Sequence, residues 1–272
     1  MNTDGAPRDL DYLTHLAADS ARFVEVLAQT RPQTPVPTCP GWDADDLLWH
    51  LGQVQWFWAA IIGRGLTAHG DVEDLDNGGR PGDRNGLLAF YGAASGSLHH
   101  NLAAASPDQA AWTWSKDQTV RFIRRRQAHE ALIHRIDAEL TAGDRAPMDA
   151  DLSTDGVDEV LHLRDTEPPS WGRFTPDPTQ TVRVLSTDTG RSWLLTLGQL
   201  TGIEDDGTAH DRSDLLTVAV SDTGEASAAT ISGAAADLDC WLWHRPTLGQ
   251  VGRAGDPLVL DRLDRSIAAG AS

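Results

Sequence analysis

A chain of 272 residues, 40% hydrophobic and 23% charged, is long enough for one large domain or two ordinary ones with a real core. A net charge of −18 excludes binding along a nucleic-acid backbone, which needs clustered lysine and arginine to displace counterions. No apolar run approaches the roughly 18 residues that cross a bilayer, so no spanning helix and no membrane partner are expected.

From Asp9 to Gln29, Leu10, Leu13, Ala17, Val24 and Leu27 recur at helical spacing. The segment TRPQTPVPTCPGW then interrupts the chain with prolines between Pro32 and Pro40. Asp43 can cap a second helix, expected over Ala44 to Ile62, and the acidic residues after it suit a first turn. A polar, glycine-rich loop between Gly70 and Gly86 leads to a third helix from Leu87 to Ala105. A fourth runs from Thr119 to Ala142 and ends near Gly143. Four such helices predict a bundle. The pattern changes after Met148. One short helix, Val157 to Leu163, precedes a proline-rich loop, EPPSWGRFTPDPTQ, and then the alternating stretches TVRVLST, SWLLTLG and LLTVAVS. Helical spacing returns at Ala236 to Trp243 and at Leu258 to Ile267. The expected fold class is α+β in two domains. Residues 1–150 form a four-helix bundle, and residues 151–272 form an α+β domain with an antiparallel sheet.

The segment RRRQAHEALIHRIDAE carries the most chemistry. His129 and His134 diverge by about 140° around a helix, too far to share an ion easily. Glu130 and His134 stand four residues apart and project from one face. Asp137 continues that face and can accept a hydrogen bond from His134. His50 lies among Leu47, Leu51 and Val54, which should face the bundle core, and it is the best third donor. Two imidazoles and one carboxylate would leave a coordination position open. An ordinary helix pair and a hydrogen-bonded core histidine fit the same spacing, and the residues alone leave both readings open. His129 is expected to pack or to act behind the donors. His99 and His100 receive no role. Cys39 precedes the helix of His50, where the helix dipole can lower its pKa, although a packed small residue is the preferred reading. The basic run Arg121, Arg124, Arg125 and Arg126 reads as a solvated helix face or a contact for one small anion.

PVPTCPGWDADDLLWHLGQV, followed about eighty residues later by RRQAHEALIHRIDAEL, resembles the mycothiol-dependent maleylpyruvate isomerase family of DinB-like metal-binding bundles. ISGAAADLDCWLWHR resembles that family's sterol-carrier-like second domain. The resemblance implies a divalent metal, usually zinc, held by His50, Glu130 and His134, with mycothiol as thiol cosubstrate. Bound at the open position, the thiol would ionise and attack a small-molecule electrophile, as an isomerase or an S-transferase. An anionic substrate or cofactor needs a positive partner. Arg245 in WLWHR is the first choice, because the resemblance places that segment near the metal cleft. Arg80 is the second. The alternatives are a non-haem iron oxidative sulfur enzyme, which the same donor set suits, and a non-catalytic metal-bound sensor or binding module. Cys39 and Cys240 far apart, and an opening MNTDGAPRDLDYL without an apolar run, make a cytoplasmic monomer or homodimer the expectation.

Overall fold

The computed structural model describes residues 10–164, 168, 170–220 and 226–269. Asp9, Glu167, Pro169 and Ser221, each part of an expected element, lie outside them. The chain divides into two compact units between Pro147 and Met148.

The N-terminal unit contains α1 (Tyr12–Gln29), α2 (Ala44–Arg64), the short α3 (His69–Glu73), α4 (Arg84–Ala104) and α5 (Val120–Ala142). The helix ends are written locally. Asp11, Asp83 and Thr119 accept hydrogen bonds from the first turns of α1, α4 and α5. Asp43 and Asp46 form a reciprocal capping box at the start of α2. Helices α2 and α5 both stop at a glycine in the left-handed region, Gly65 (φ 65°) and Gly143 (φ 73°). The expected loop between residues 70 and 86 contains α3, a single turn that Val72 anchors by burial. Helix α2 packs against α4 and α5, and α1 packs against α5 and α4. Their shared core includes Phe23, Leu27, Leu47, Leu51, Tyr91 and Ala138, all under 2% exposed. Each large apolar side chain of this kind stabilises the fold by about 1.5–3 kcal/mol.

Helix α5 departs from the usual amphipathic plan. His129, His134, Arg135, Asp137 and Glu139 are all buried along with its apolar residues. Buried charge costs several kcal/mol unless it is paired, and here it is. Arg135 Nε lies 2.8 Å from Asp19, Arg135 Nη1 donates to Glu139 at 3.2 Å, and Arg22 Nε donates to Glu139 at 3.1 Å. A helix that carries so much polar chemistry inward serves something besides packing.

The C-terminal unit comprises α6 (Ala150–Arg164), β1 (Gly172–Ser186), β2 (Ser192–Ile203), β3 (Ala209–Val220), β4 (Ala229–Gly233), α7 (Ala235–Leu242), β5 (Gly252–Gly255) and α8 (Pro257–Ala269). The strand order is β3-β2-β1-β4-β5. Val182, Val184, Trp193, Leu195, Leu197, Leu216 and Ile231 alternate along the strands and turn one sheet face into the core. Val157, Leu161, Leu238, Leu242 and Leu263 from the helices cover that face. Buried Trp193 donates its indole N–H to Asp158 at 2.8 Å.

Three expectations need correction here. The sheet is mixed: β1 and β4 are parallel, while the other pairs are antiparallel. Much of the expected proline-rich loop is the first half of β1. Its pairing breaks between Pro176 and Thr181, and this irregularity absorbs two prolines that cannot donate to the ladder. Helix α6 begins at Ala150, seven residues before the expected Val157. Gly156 hid the continuity; a Cβ there would come within 2.6 Å of Asp239, so the glycine serves close packing and does not end the helix.

Candidate metal centre

Helix α2 presents His50 and helix α5 presents Glu130 and His134, so three donors converge from two packed helices. One ligand atom from each lies within 4.8 Å of the others. His134 Nε2 is 3.2 Å from Glu130 Oε1, and His50 Nε2 is 3.8 Å from the same oxygen. The two imidazole rings stand 4.8 Å apart and nearly perpendicular. Around an ion with bonds of about 2.0–2.1 Å, tetrahedral ligand atoms lie roughly 3.3–3.4 Å from each other. The two separations from Glu130 are within half an ångström of that, a small closing of the two imidazoles would complete the geometry, and the donor types suit zinc. The residues fit the group.

The atoms behind the donors fix their orientation. His134 Nδ1 lies 2.9 Å from Asp137 Oδ2, a contact that keeps a proton on Nδ1 and turns Nε2 toward Glu130. Asp137 is fully buried and also accepts the Thr38 hydroxyl at 2.5 Å. Cys39 Sγ approaches its other oxygen at 3.9 Å. Trp42 sets its ring 4.8 Å from that of His50. The proline-broken segment before α2 therefore braces the centre from both sides: Thr38 and Cys39 under Asp137, Trp42 against His50. On the other side, Arg126 donates from Nε at 3.2 Å and from Nη2 to Glu130 Oε2, leaving Oε1 toward the histidines.

The charges follow from this geometry. Burial opposes ionisation of Glu130, but Arg126, His134 and His50 outweigh it and hold the carboxyl well below its usual range. Burial likewise opposes protonation of His134, yet Asp137 and Glu130 raise its pKa to about 9. Without an ion, a proton occupies the place between the donors.

His129 points elsewhere. It is buried and meets Tyr12 of α1 edge to face at 6.3 Å. His99 is half-buried and His100 exposed on α4. Arg80 is tied to Asp46 at 2.5 Å, one turn before His50. In the C-terminal unit, Arg245 Nη1 donates to the Trp243 carbonyl at 2.6 Å. The preceding His244 adopts φ 58° as α7 ends, a left-handed position that usually takes glycine. Sequence reasoning placed Arg126 on a solvated face; it is 6% exposed and belongs to the centre. The signal was available, because Arg126, Glu130 and His134 form one column at successive four-residue steps. Thr38 gave no comparable signal, since its partner lies 99 positions away.

A bundle carrying two histidines and a glutamate on facing helices, followed by a five-stranded α+β unit, defines a two-domain α+β protein with a candidate metal centre in its helical half. Residues 13–139 match the family model described as the mycothiol maleylpyruvate isomerase N-terminal domain. Among solved structures, the chain is similar in fold to the mycothiol-dependent maleylpyruvate isomerase, at 11% identity and a TM-score of 0.56. That match covers 90% of this chain and 93% of the other. A histidine-to-alanine mutant of that isomerase matches at 12% identity and a TM-score of 0.55, with the same coverage. No curated protein matches the sequence. Among the described residues, no helix is long and apolar enough to cross a membrane.

Proposed function

We propose that this chain is a mycothiol-dependent metalloenzyme acting on a small electrophile, as an isomerase or an S-transferase, with its ion held by His50, Glu130 and His134. The observation that carries the reading is the convergence of these three donors inside a domain whose family is named for mycothiol maleylpyruvate isomerase. Zinc is the favoured ion, from the two-nitrogen, one-oxygen donor set. Bound there, it would supply the Lewis acidity that lets a thiol ionise near neutral pH.

The chain's own groups do the rest. Asp137 keeps His134 in the tautomer that offers Nε2. Arg126 occupies one Glu130 oxygen, so the carboxylate offers the other as a single donor. Three protein donors leave room for a sulfur. A thiol ionised there would add to an electrophilic carbon; expulsion after rotation would give an isomer, whereas protonation of the anionic adduct would give an S-conjugate. Arg80 and Arg245 are the guanidiniums assigned to anionic groups of substrate or cofactor, and replacing either with Ala should raise KM more than it lowers kcat. The deciding test combines metal analysis of purified protein with assays of maleylpyruvate turnover and thiol consumption. About one divalent ion per chain and mycothiol-dependent turnover are expected. An ion-bearing protein that neither binds nor consumes thiol would point to a sensor.

A further inference from the structure

The loop from α3 to α4 contains the run Asp76, Asn77, Gly78, Gly79, in which side chains and peptide groups are paired in a definite order. Asp76 Oδ1 accepts the Gly78 N–H at 2.8 Å, and Asn77 Oδ1 accepts the Gly79 N–H at 2.9 Å. Gly78 (φ 77°) and Gly79 (φ 81°) both occupy the left-handed region. The second hydrogen bond closes an Asx turn, which folds the Asn77 carboxamide back over the peptide that follows it. The nitrogen of that peptide belongs to Gly78, where even an added Cβ would meet nothing within 4 Å, so the approach to it is unobstructed. Asp76 and Gly78 are exposed to solvent and Asn77 is half-buried.

These contacts supply the parts of an acyl transfer. The Gly78 nitrogen is the nucleophile, the Asp76 carboxylate on its proton is a general base, and the Gly79 N–H on Asn77 Oδ1 is a donor for the oxyanion. We propose that Asn77–Gly78 is a self-modifying site, where the loop converts its own asparagine through a cyclic imide to aspartate and isoaspartate. As Asp76 takes the peptide proton, the nitrogen pair forms a bond to Asn77 Cγ and the carbonyl electrons move to Oδ1. Collapse of this adduct breaks the Cγ–Nδ2 bond, and the amide nitrogen leaves as ammonia with the transferred proton. Water then adds to either imide carbonyl, giving aspartate or the isomer whose main chain runs through the side-chain carboxyl. Asn77 lines a pocket of about 380 Å³ together with Gln53, Phe57 and Asp76. Conversion therefore removes an amide donor from that wall and sets a second carboxylate beside Asp76. Asn85–Gly86 serves as an internal comparison. It lies in the first turn of α4, where the Gly86 N–H is likewise held by a carboxylate, that of Asp83, at 2.9 Å. The helical backbone tilts the Asn85 Cβ toward the helix N-terminus, away from the following peptide nitrogen, so the base alone should not suffice there.

The test incubates the full-length protein in mildly alkaline buffer and follows its peptides by mass spectrometry, with isoaspartate read by enzymatic methylation. Conversion at the two Asn–Gly pairs is compared in folded wild type, in wild type unfolded by urea, and in Asp76→Ala. Asn77 in the folded wild type should react at least about tenfold faster than in the unfolded chain, and Asp76→Ala should lose that advantage. Asn85 should react in urea and stay intact in the folded protein. An Asn77 rate in the folded wild type equal to or below that of the unfolded chain overturns the proposal. So does an unchanged Asn77 rate in an Asp76→Ala variant that circular dichroism shows to be folded. The comparison of folded with unfolded wild type needs no variant, so it decides the proposal even where Asp76→Ala does not fold.

Discussion

Asp137 stands directly behind His134: its Oδ2 lies 2.9 Å from the ring Nδ1, and the carboxylate is wholly shielded from solvent. A buried carboxylate is costly, and this one is retained with the Thr38 hydroxyl as a second partner at 2.5 Å. Helix α5 and the loop before α2 thus share one hydrogen-bonded chain that ends at a candidate metal donor.

Replacing Asp137 with Asn should preserve the fold, since the shape is nearly the same. The change removes the negative charge that makes His134 a better donor. Metal affinity should fall by about 10–100-fold, measured by competition with a chromophoric chelator. Undiminished affinity would mean that Asp137 only packs.

His50→Ala and His134→Ala should each abolish stoichiometric metal retention through purification, because one of three donors is lost. His129→Ala should keep the ion and instead cost about 0.5–3 kcal/mol of stability, since that ring packs on Tyr12. Elemental analysis and thermal melts of the three variants separate the two roles. Full metal retention in both donor variants would remove the assignment.

The helical half was legible because its signals are local. Asp43, Asp83, Thr119, Gly65 and Gly143 mark helix ends within a turn of themselves. The donor pair Glu130–His134 reads directly from four-residue spacing. What could not be read depends on distant partners. Arg126 looked like part of a solvated basic run because its neighbours are charged; burial against Glu130 decides its role. Pro176 and Pro178 looked like a loop because the compensating break in the β1–β2 register is a tertiary feature. The parallel β1–β4 pairing joins strands whose paired residues lie 47 positions apart, and alternation within a strand carries no information on direction.

All three donors, Asp137, Thr38 and Arg126 belong to the unit Asp9–Pro147, which has its own apolar core. A chain ending at Pro147 should therefore bind the ion with an affinity close to that of the full protein. Chelator competition on the two chains checks this. A folded bundle, by circular dichroism, that no longer holds metal would show that the centre needs residues after Met148.

The last prediction concerns pH, with the sign set by His134. In the metal-free protein its pKa is about 9, because Asp137 and Glu130 outweigh the opposing effect of burial. In the unfolded chain a histidine titrates near ~6.5. The proton is thus held more tightly in the folded state. This stabilisation is fully present below about pH 6.5 and is lost as pH rises through about 9. The melting temperature of metal-free protein should fall across that window, and Asp137→Asn should flatten the fall. Glu130 adds nothing there, since its carboxyl is already ionised well below its usual range. An ion needs the Nε2 lone pair that the proton occupies, so the two compete. Apparent metal affinity should rise by up to about tenfold per pH unit between 6.5 and 8.5, with close to one proton released per ion bound. Calorimetry in two buffers of different ionisation enthalpy counts that proton. Affinity independent of pH over this range would show that His134 does not supply Nε2 to the ion.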